Sequence, residues 1–348
     1  MKILIVKGAF GAQYEPAWAE ALTQLGQECR ILDSHGYSLP GIFGRIERRL
    51  IWGPGIRRIR EILIKTVKTW RPDITLIYQG HYFDRATLLA IKPYTLITGY
   101  HNDDPFGGHQ GMLRYRRCFL DSLPAYDGFH VYRNVNIEDF KQAGVPQVAE
   151  LRSYFIPAMD YPRTLSSAEQ SYYDCDLVYI GHVEEDSRAA CLRRVLADSI
   201  AVHLYGESRF WAPLLKEYAN RLRPPVFGDE YRKALCGGKI AACFFSKWNR
   251  DLYTRRVFEI PACGVFLLAE RTPVMQEIYQ EGQEAEFFGS PEEFSAKIHY
   301  YLAHDEQRRR IAAAGMQRAR TSGYDIHSRM KQWLAQVSEW KKRKVHSY

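Results

Sequence analysis

Short runs that are apolar at nearly every position recur along this chain with helical stretches between them, and that alternation limits the fold more than any other feature. Residues 3–7, 29–33, 74–78, 95–100 and 128–132 read as strands, with a short one around 148–151. Residues 176–180, 201–205, 239–245, 265–269 and 285–289 form a second series. Runs without polar alternation suit strands covered on both faces, which are parallel strands joined by crossover helices. Helical spacing appears between them at 15–25, closed by Gly26, and at 137–143, closed by Gly144. It returns at 186–196, 291–302 and 305–320. The expected class is α/β, with two doubly wound Rossmann-like domains, and a chain of 348 residues is comfortable for two cores.

Residues 156–171 are rich in Pro, Ser and Tyr and show no periodicity, so they read as a linker. The expected division is a first domain over 1–155, a linker over 156–172, a second domain over 173–322 and a C-terminal segment over 323–348. In that segment Ile326, Met330, Trp333, Val337 and Trp340 fall at helical spacing.

A net charge of +8 calls for an anionic partner but does not name it. No zinc-finger spacing or RNA-recognition aromatic motif is present, so nucleic acid is not expected. The seven cysteines include no Cys-x-x-Cys and read as reduced, mostly buried thiols. No stretch of eighteen apolar residues and no signal-peptide pattern appears, which predicts a cytoplasmic protein. Residues 42–70 alternate basic and apolar side chains, with Ile56, Ile59, Leu63, Val67 and Trp70 as a helical stripe. Such a helix either lies on anionic lipid, placing the protein at the inner face of a membrane, or packs its stripe on a sheet, which is the commoner outcome.

The stretch 251–264, Asp-Leu-Tyr-Thr-Arg-Arg-Val-Phe-Glu-Ile-Pro-Ala-Cys-Gly, concentrates acids, arginines and hydroxyls ahead of a glycine. With Asn249 or Asp251 as cap, a helix would aim its first-turn amides, at 252–254, toward a phosphate, where Tyr253 and Thr254 add hydroxyls. Arg255 and Glu259, four apart, would share one face. They make either a simple salt bridge or a guanidinium for phosphate one turn from a carboxylate for ribose hydroxyls. Gly8-Ala-Phe-Gly11 is a strand-to-helix turn lacking Gly-x-Gly-x-x-Gly, which disfavours NAD. His101-Asn-Asp103-Asp104-Pro-Phe follows a buried strand, where polar residues line the crevice of an open α/β sheet. As chemistry, Asp103 or Asp104 could accept a proton and His101 could donate a hydrogen bond; the plainer reading is a Pro-Gly turn.

The 251–264 stretch resembles the nucleotide-sugar segment of GT-B glycosyltransferases, in particular the CgeB-like (spore-maturation-type) group, where two acids eight positions apart precede Ala-x-Gly and a buried strand. Asp251 and Glu259 keep that spacing, with Asp251 in place of the commoner Glu. The resemblance, thinner elsewhere, extends over nearly the whole chain. It implies two domains facing across a cleft, and transfer of a sugar from a nucleotide-diphosphate sugar, UDP slightly favoured, to an acceptor hydroxyl on a glycan, glycolipid or other surface polysaccharide. It places Glu259 on the ribose and Arg255 and Arg256 on the diphosphate. Gly181, His182 and Arg188 stand where relatives carry Gly-Arg and, six residues after that Arg, a Lys. It sets Gly8 and Gly11 at the cleft, His101 beside the anomeric carbon, and the helix within 323–348 across the first domain. Adjacent aspartates are not Asp-x-Asp, so neither metal nor cofactor is expected. The alternatives are a nucleotide-sugar epimerase or phosphorylase on this fold, or a non-catalytic module for an anionic polymer.

Overall fold

Every strand pairing in the computed structural model is parallel among the residues it describes, which are 1–8, 14–34, 37, 39, 41–107, 113–184, 186–211, 214 and 217–345. One sheet holds β1 (Lys2–Val6), β2 (Glu28–Leu32), β3 (Ile74–Tyr78), β4 (Leu96–His101), β5 (Gly128–Val131) and β6 (Val148–Glu150), in the order β2-β1-β3-β4-β5-β6. The other holds β7 (Cys175–Ile180), β8 (Val202–Tyr205), β9 (Leu222–Arg223), β10 (Gly238–Cys243), β11 (Phe266–Glu270) and β12 (Glu286–Phe288), in the order β12-β11-β10-β7-β8-β9. In each sheet the first strand lies inside, with later strands added on both sides. That is double winding, and the strand order reverses beside β1 and beside β7.

The chain divides into two units, Met1–Arg152 with Ile326–Tyr348, and Ser153–Asp325. Segment 156–172 is therefore not a linker but part of the second unit. It lacks apolar periodicity because side chains bonding to backbone hold it in place. Asp160 accepts the Ile156 N–H at 2.7 Å. Ser166 and Glu169 form a reciprocal capping box at the start of a helix, Ser167–Tyr173.

In the first unit, α1 (Tyr14–Gln24) follows β1, and the 42–70 stretch splits into α2 (Gly41–Leu50) and α3 (Pro54–Trp70). The α3 stripe is buried, and Ile59, Leu63, Val67 and Trp70 join a core with Leu4, Val6 and Ile77. Of the two readings of this stripe, packing on the sheet is the one realised. A further helix, α4 (Ile326–Val345), buries Met330, Trp333, Val337 and Trp340. His130 of β5 stacks on Trp340 with ring centroids 4.5 Å apart, and its Nε2 lies 2.9 Å from Gln336 Oε1. Burial holds this imidazole neutral, lowering its pKa to about 3. Lys341 pairs with Asp73, and Lys344 with Asp127 at 2.8 Å.

Gly128 lets α4 approach the sheet, since a Cβ there would stand 2.3 Å from the Trp340 ring. Gly128→Ala should therefore overpack this seam and cost about 1–3 kcal/mol of stability. Urea unfolding measures it; an unchanged midpoint would show that the helix is not seated against β5.

Candidate functional site

In the second unit, β7, β10 and β11 end at one edge of the sheet, beside the point where strand order reverses, and the loops leaving them gather buried charge. The loop after β7 carries Gly181 and His182 into α5 (Arg188–Leu196). Arg188 is only 2% exposed. Its Nη2 lies 3.3 Å from Glu184 Oε1 and its Nε 3.1 Å from Asp186 Oδ2, while Nη1 donates to the His182 carbonyl at 3.1 Å. Burial works against ionised Glu184, yet hydrogen bonding from His182 and the Arg188 charge bring its pKa down to about 2. Glu184 also accepts the Lys247 N–H at 3.3 Å, tying this loop to the one after β10. Arg188 is thus an internal counter-ion here, and His182 is the exposed group of that pair.

The loop after β10 leads to α6 (Arg256–Ala262). This helix begins later than the caps in the sequence suggest, with Arg255 at the N-cap and no side-chain cap bond, so residues 252–254 are not its first turn. Val257 N–H goes to the Thr254 carbonyl at 3.2 Å, and Phe258 N–H to the Arg255 carbonyl at 3.0 Å. Tyr253 is buried and its hydroxyl receives the Ser153 N–H at 3.3 Å; Thr254 Oγ1 lies 3.4 Å from Cys243 Sγ. Asp251 is buried, its N–H donating to the Ser246 carbonyl at 2.9 Å. Pro261 sits inside the helix, and Gly264, at φ 74, follows the helix end.

Arg255 and Glu259 do share a face, and they are bonded to each other, Nε to Oε1 at 2.5 Å. The other Glu259 oxygen accepts the Tyr231 hydroxyl at 2.8 Å. Arg255 also faces Asp160 at 3.8 Å and the Tyr154 ring at 5.1 Å. One guanidinium therefore serves two buried carboxylates. Burial and then the Glu259 charge raise Asp160 from an ordinary 3.8 to about 7. Arg256 differs. It is half-buried and, among the described residues, makes no hydrogen bond or ion pair. Lys247 is more open still, 56% exposed, with Nζ 3.4 Å from Glu270 Oε1. Two cations and a buried carboxylate thus stand at one sheet edge, Lys247 on the loop after β10 and Arg256 and Glu259 on α6.

In the first unit, His101 closes β4 and is buried, with Nε2 2.8 Å from His81 Nε2 and Nδ1 2.9 Å from the Asp103 carbonyl oxygen. Burial lowers both imidazoles, His101 to about 4. Asp104 is buried, and its Oδ1 accepts from Phe106 N–H at 2.9 Å and Asn136 Nδ2 at 2.8 Å, as a turn-forming aspartate does. Asp103 is the exposed member, and its carboxylate makes no hydrogen bond or ion pair among the described residues. Gly8 donates its N–H to Glu15 Oε1 at 3.0 Å, while Glu15 Oε2 is buried without a partner among the described residues. Gly11 lies outside the described residues.

Lys247, Glu184, Asp160 and His81 escaped the sequence reading of the site. Lys247 and His81 carry one usable signal, since both follow the carboxyl end of a strand. Asp160 carries none, because its segment has no pattern.

Residues 188–335 match the family described as glycosyl transferase-like. No curated protein sequence matches the chain. Among solved structures it resembles HepE of Anabaena in complex with UDP and glucose, at 11% identity and TM-score 0.66, covering 97% of this chain and 100% of that one. Sucrose-phosphate synthase of Thermosynechococcus elongatus gives 12% identity and TM-score 0.67 over 97% and 99%. A glycosyltransferase of Rickettsia africae gives 11% and 0.66 over 97% and 98%. The architecture is the GT-B fold of two Rossmann-like domains.

Asp160 supplies a pH test of the carboxylate cluster. With its folded pKa raised, its contribution to stability is fully present below about pH 4 and is lost as pH rises through 7, because the unfolded chain releases that proton first. The thermal midpoint of Asp160→Asn should therefore gain on that of the parent between pH 5 and 8, by an amount equivalent to a few kcal/mol at most. A gap between the two that stays constant with pH would contradict the arrangement.

Proposed function

We propose that this chain transfers a sugar from a UDP-sugar to a hydroxyl of a glycan or glycolipid, with the donor nucleotide held by the second unit. The observation that carries this reading is the placing of two cations, half-buried Arg256 and exposed Lys247, with Glu259 at one sheet edge. That edge adjoins and enters the stretch that matches the glycosyl transferase-like family. UDP is favoured because the similar HepE structures contain UDP or UDP-glucose.

Each carboxylate oxygen has two lone pairs, so Glu259 can accept ribose hydroxyls while keeping the Tyr231 bond. Phe227, 71% exposed at the N-cap of the helix that carries Tyr231, offers a ring for the base. When the anomeric carbon–oxygen bond breaks, the departing diphosphate takes the electron pair, and negative charge grows on its oxygens. Arg256 and Lys247 stabilise that charge, joined by Arg255 once ribose competes for Glu259. These protein cations do the work that a metal does in other transferases. Asp103, in the first unit, takes the proton of the acceptor hydroxyl. A nucleotide-sugar epimerase would use the same donor contacts, and product analysis separates the two, because transfer yields UDP and a glycosylated acceptor whereas epimerisation inverts C2.

Among UDP, GDP, CDP and dTDP, UDP should raise the thermal midpoint most, since saturation at a hundred times the dissociation constant adds about 2.7 kcal/mol. Glu259→Ala should weaken UDP binding by about 1.5–3 kcal/mol; parental affinity in a folded variant would remove Glu259 from the ribose. Asp103→Asn should leave UDP-induced stabilisation intact and cut transfer by ~10²-fold. Parental turnover in that variant would redirect the search for the base to Glu15.

A further inference from the structure

A surface helix ordinarily hides its apolar stripe, and α2 does the reverse. Its inward residues are Gly44 and Glu47. The Glu47 carboxylate accepts the N–H groups of Leu39 at 3.2 Å and Gly55 at 2.9 Å, and a Cβ on Gly44 would collide with the Leu39 carbonyl. Outward stand Ile42, Phe43, Ile46 and Leu50, at 61%, 67%, 47% and 39% exposure. With ~100° between successive residues, these four fall in one sector, and Arg45, Arg48 and Arg49 fill the adjoining one.

The turn after the helix adds to the same surface. Ile51 adopts φ 50, a left-handed conformation that strains a β-branched residue. In that conformation Ile51 is buried with Ile56 and Tyr82, and Trp52 is left 72% exposed.

We infer that α2 and Trp52 form a docking surface for an anionic lipid bilayer, with the helix lying in the interface, its apolar sector among the acyl chains and its arginines at the headgroups. Charge selects this occupant. The only acid of α2 points inward, its exposed charges are all positive, and Arg57 and Arg58 just beyond the turn are exposed and positive too. A second copy would meet this face with the same positive charge. Tryptophan beside arginines suits the bilayer boundary, where an indole is half in and half out of water. No described helix is long and apolar enough to cross a membrane, so this contact is peripheral. The inference is independent of the donor site and would hold for any activity of the chain.

The test is cosedimentation of the full chain with phosphatidylcholine vesicles, with and without phosphatidylglycerol. Binding is expected to the anionic vesicles, falling as salt rises. It should drop about tenfold or more in Ile42→Ser/Phe43→Ser/Ile46→Ser and again in Arg45→Gln/Arg49→Gln. These side chains are exposed, so unfolding midpoints should match the parent and show that the variants are folded. Lys65→Gln/Lys68→Gln on α3 should bind like the parent. Absence of binding to anionic vesicles, parental binding by the α2 variants, or an equal loss in the α3 variant would overturn the inference. So would a dimer in solution that the apolar α2 variant abolishes.

Discussion

Parallel pairing imposes the constraint on which the rest of this molecule depends. Strands that all run one way deliver their carboxyl ends to one edge of each sheet, and the polar loops that follow are crowded together there. In the second unit this brings Glu184, Asp186, Arg188, Lys247, Glu259 and Glu270 onto neighbouring loops, strand ends and the helices that follow them. Charges taken out of water must be matched, and the loops match them across one another: Arg188 between Glu184 and Asp186, Arg255 between Glu259 and Asp160. Against this background of paired charge, half-buried Arg256, which makes no hydrogen bond or ion pair among the described residues, and exposed Lys247, held only by Glu270 at 3.4 Å, are the cations that the proposed donor diphosphate would meet.

The inner strands were legible because burial on both faces leaves an unbroken apolar run, whereas the edge strands β2 and β6 are half-buried or exposed and show shorter apolar stretches, and the two-residue β9 shows none. The spacing of Arg255 and Glu259 was legible too, but not that the two would bond to each other. Spacing fixes a shared face, whereas the choice between salt bridge and ligand site depends on Tyr231 and Asp160, which come from elsewhere in the chain. Arg188 looks from sequence like a phosphate cation. The acids Glu184 and Asp186, four and two residues before it, draw its guanidinium inward. The start of α6 was misread because Asn249 and Asp251 are good caps that this loop uses otherwise.

In the first unit the same edge is drier. The rings of His81 and His101 meet in a pocket closed by Phe119, where desolvation keeps both neutral. A neutral imidazole pair positions protons without holding charge, and it fixes the backbone of Asp103 through the His101 ring. The buried histidines and the turn-forming Asp104 thus read as the support for the exposed Asp103 carboxylate.

Helix α4 makes the two ends of the chain part of one folded body. The surface of β5 at Gly128 is covered by Trp340, more than two hundred residues later in the sequence, while the whole of the second unit is spelled out in between. On the ribosome, the first sheet therefore emerges with an uncovered apolar seam and keeps it until the intervening unit has been synthesised. The order of translation runs against the order of completion: the second unit can finish first, and the unit begun earliest closes last.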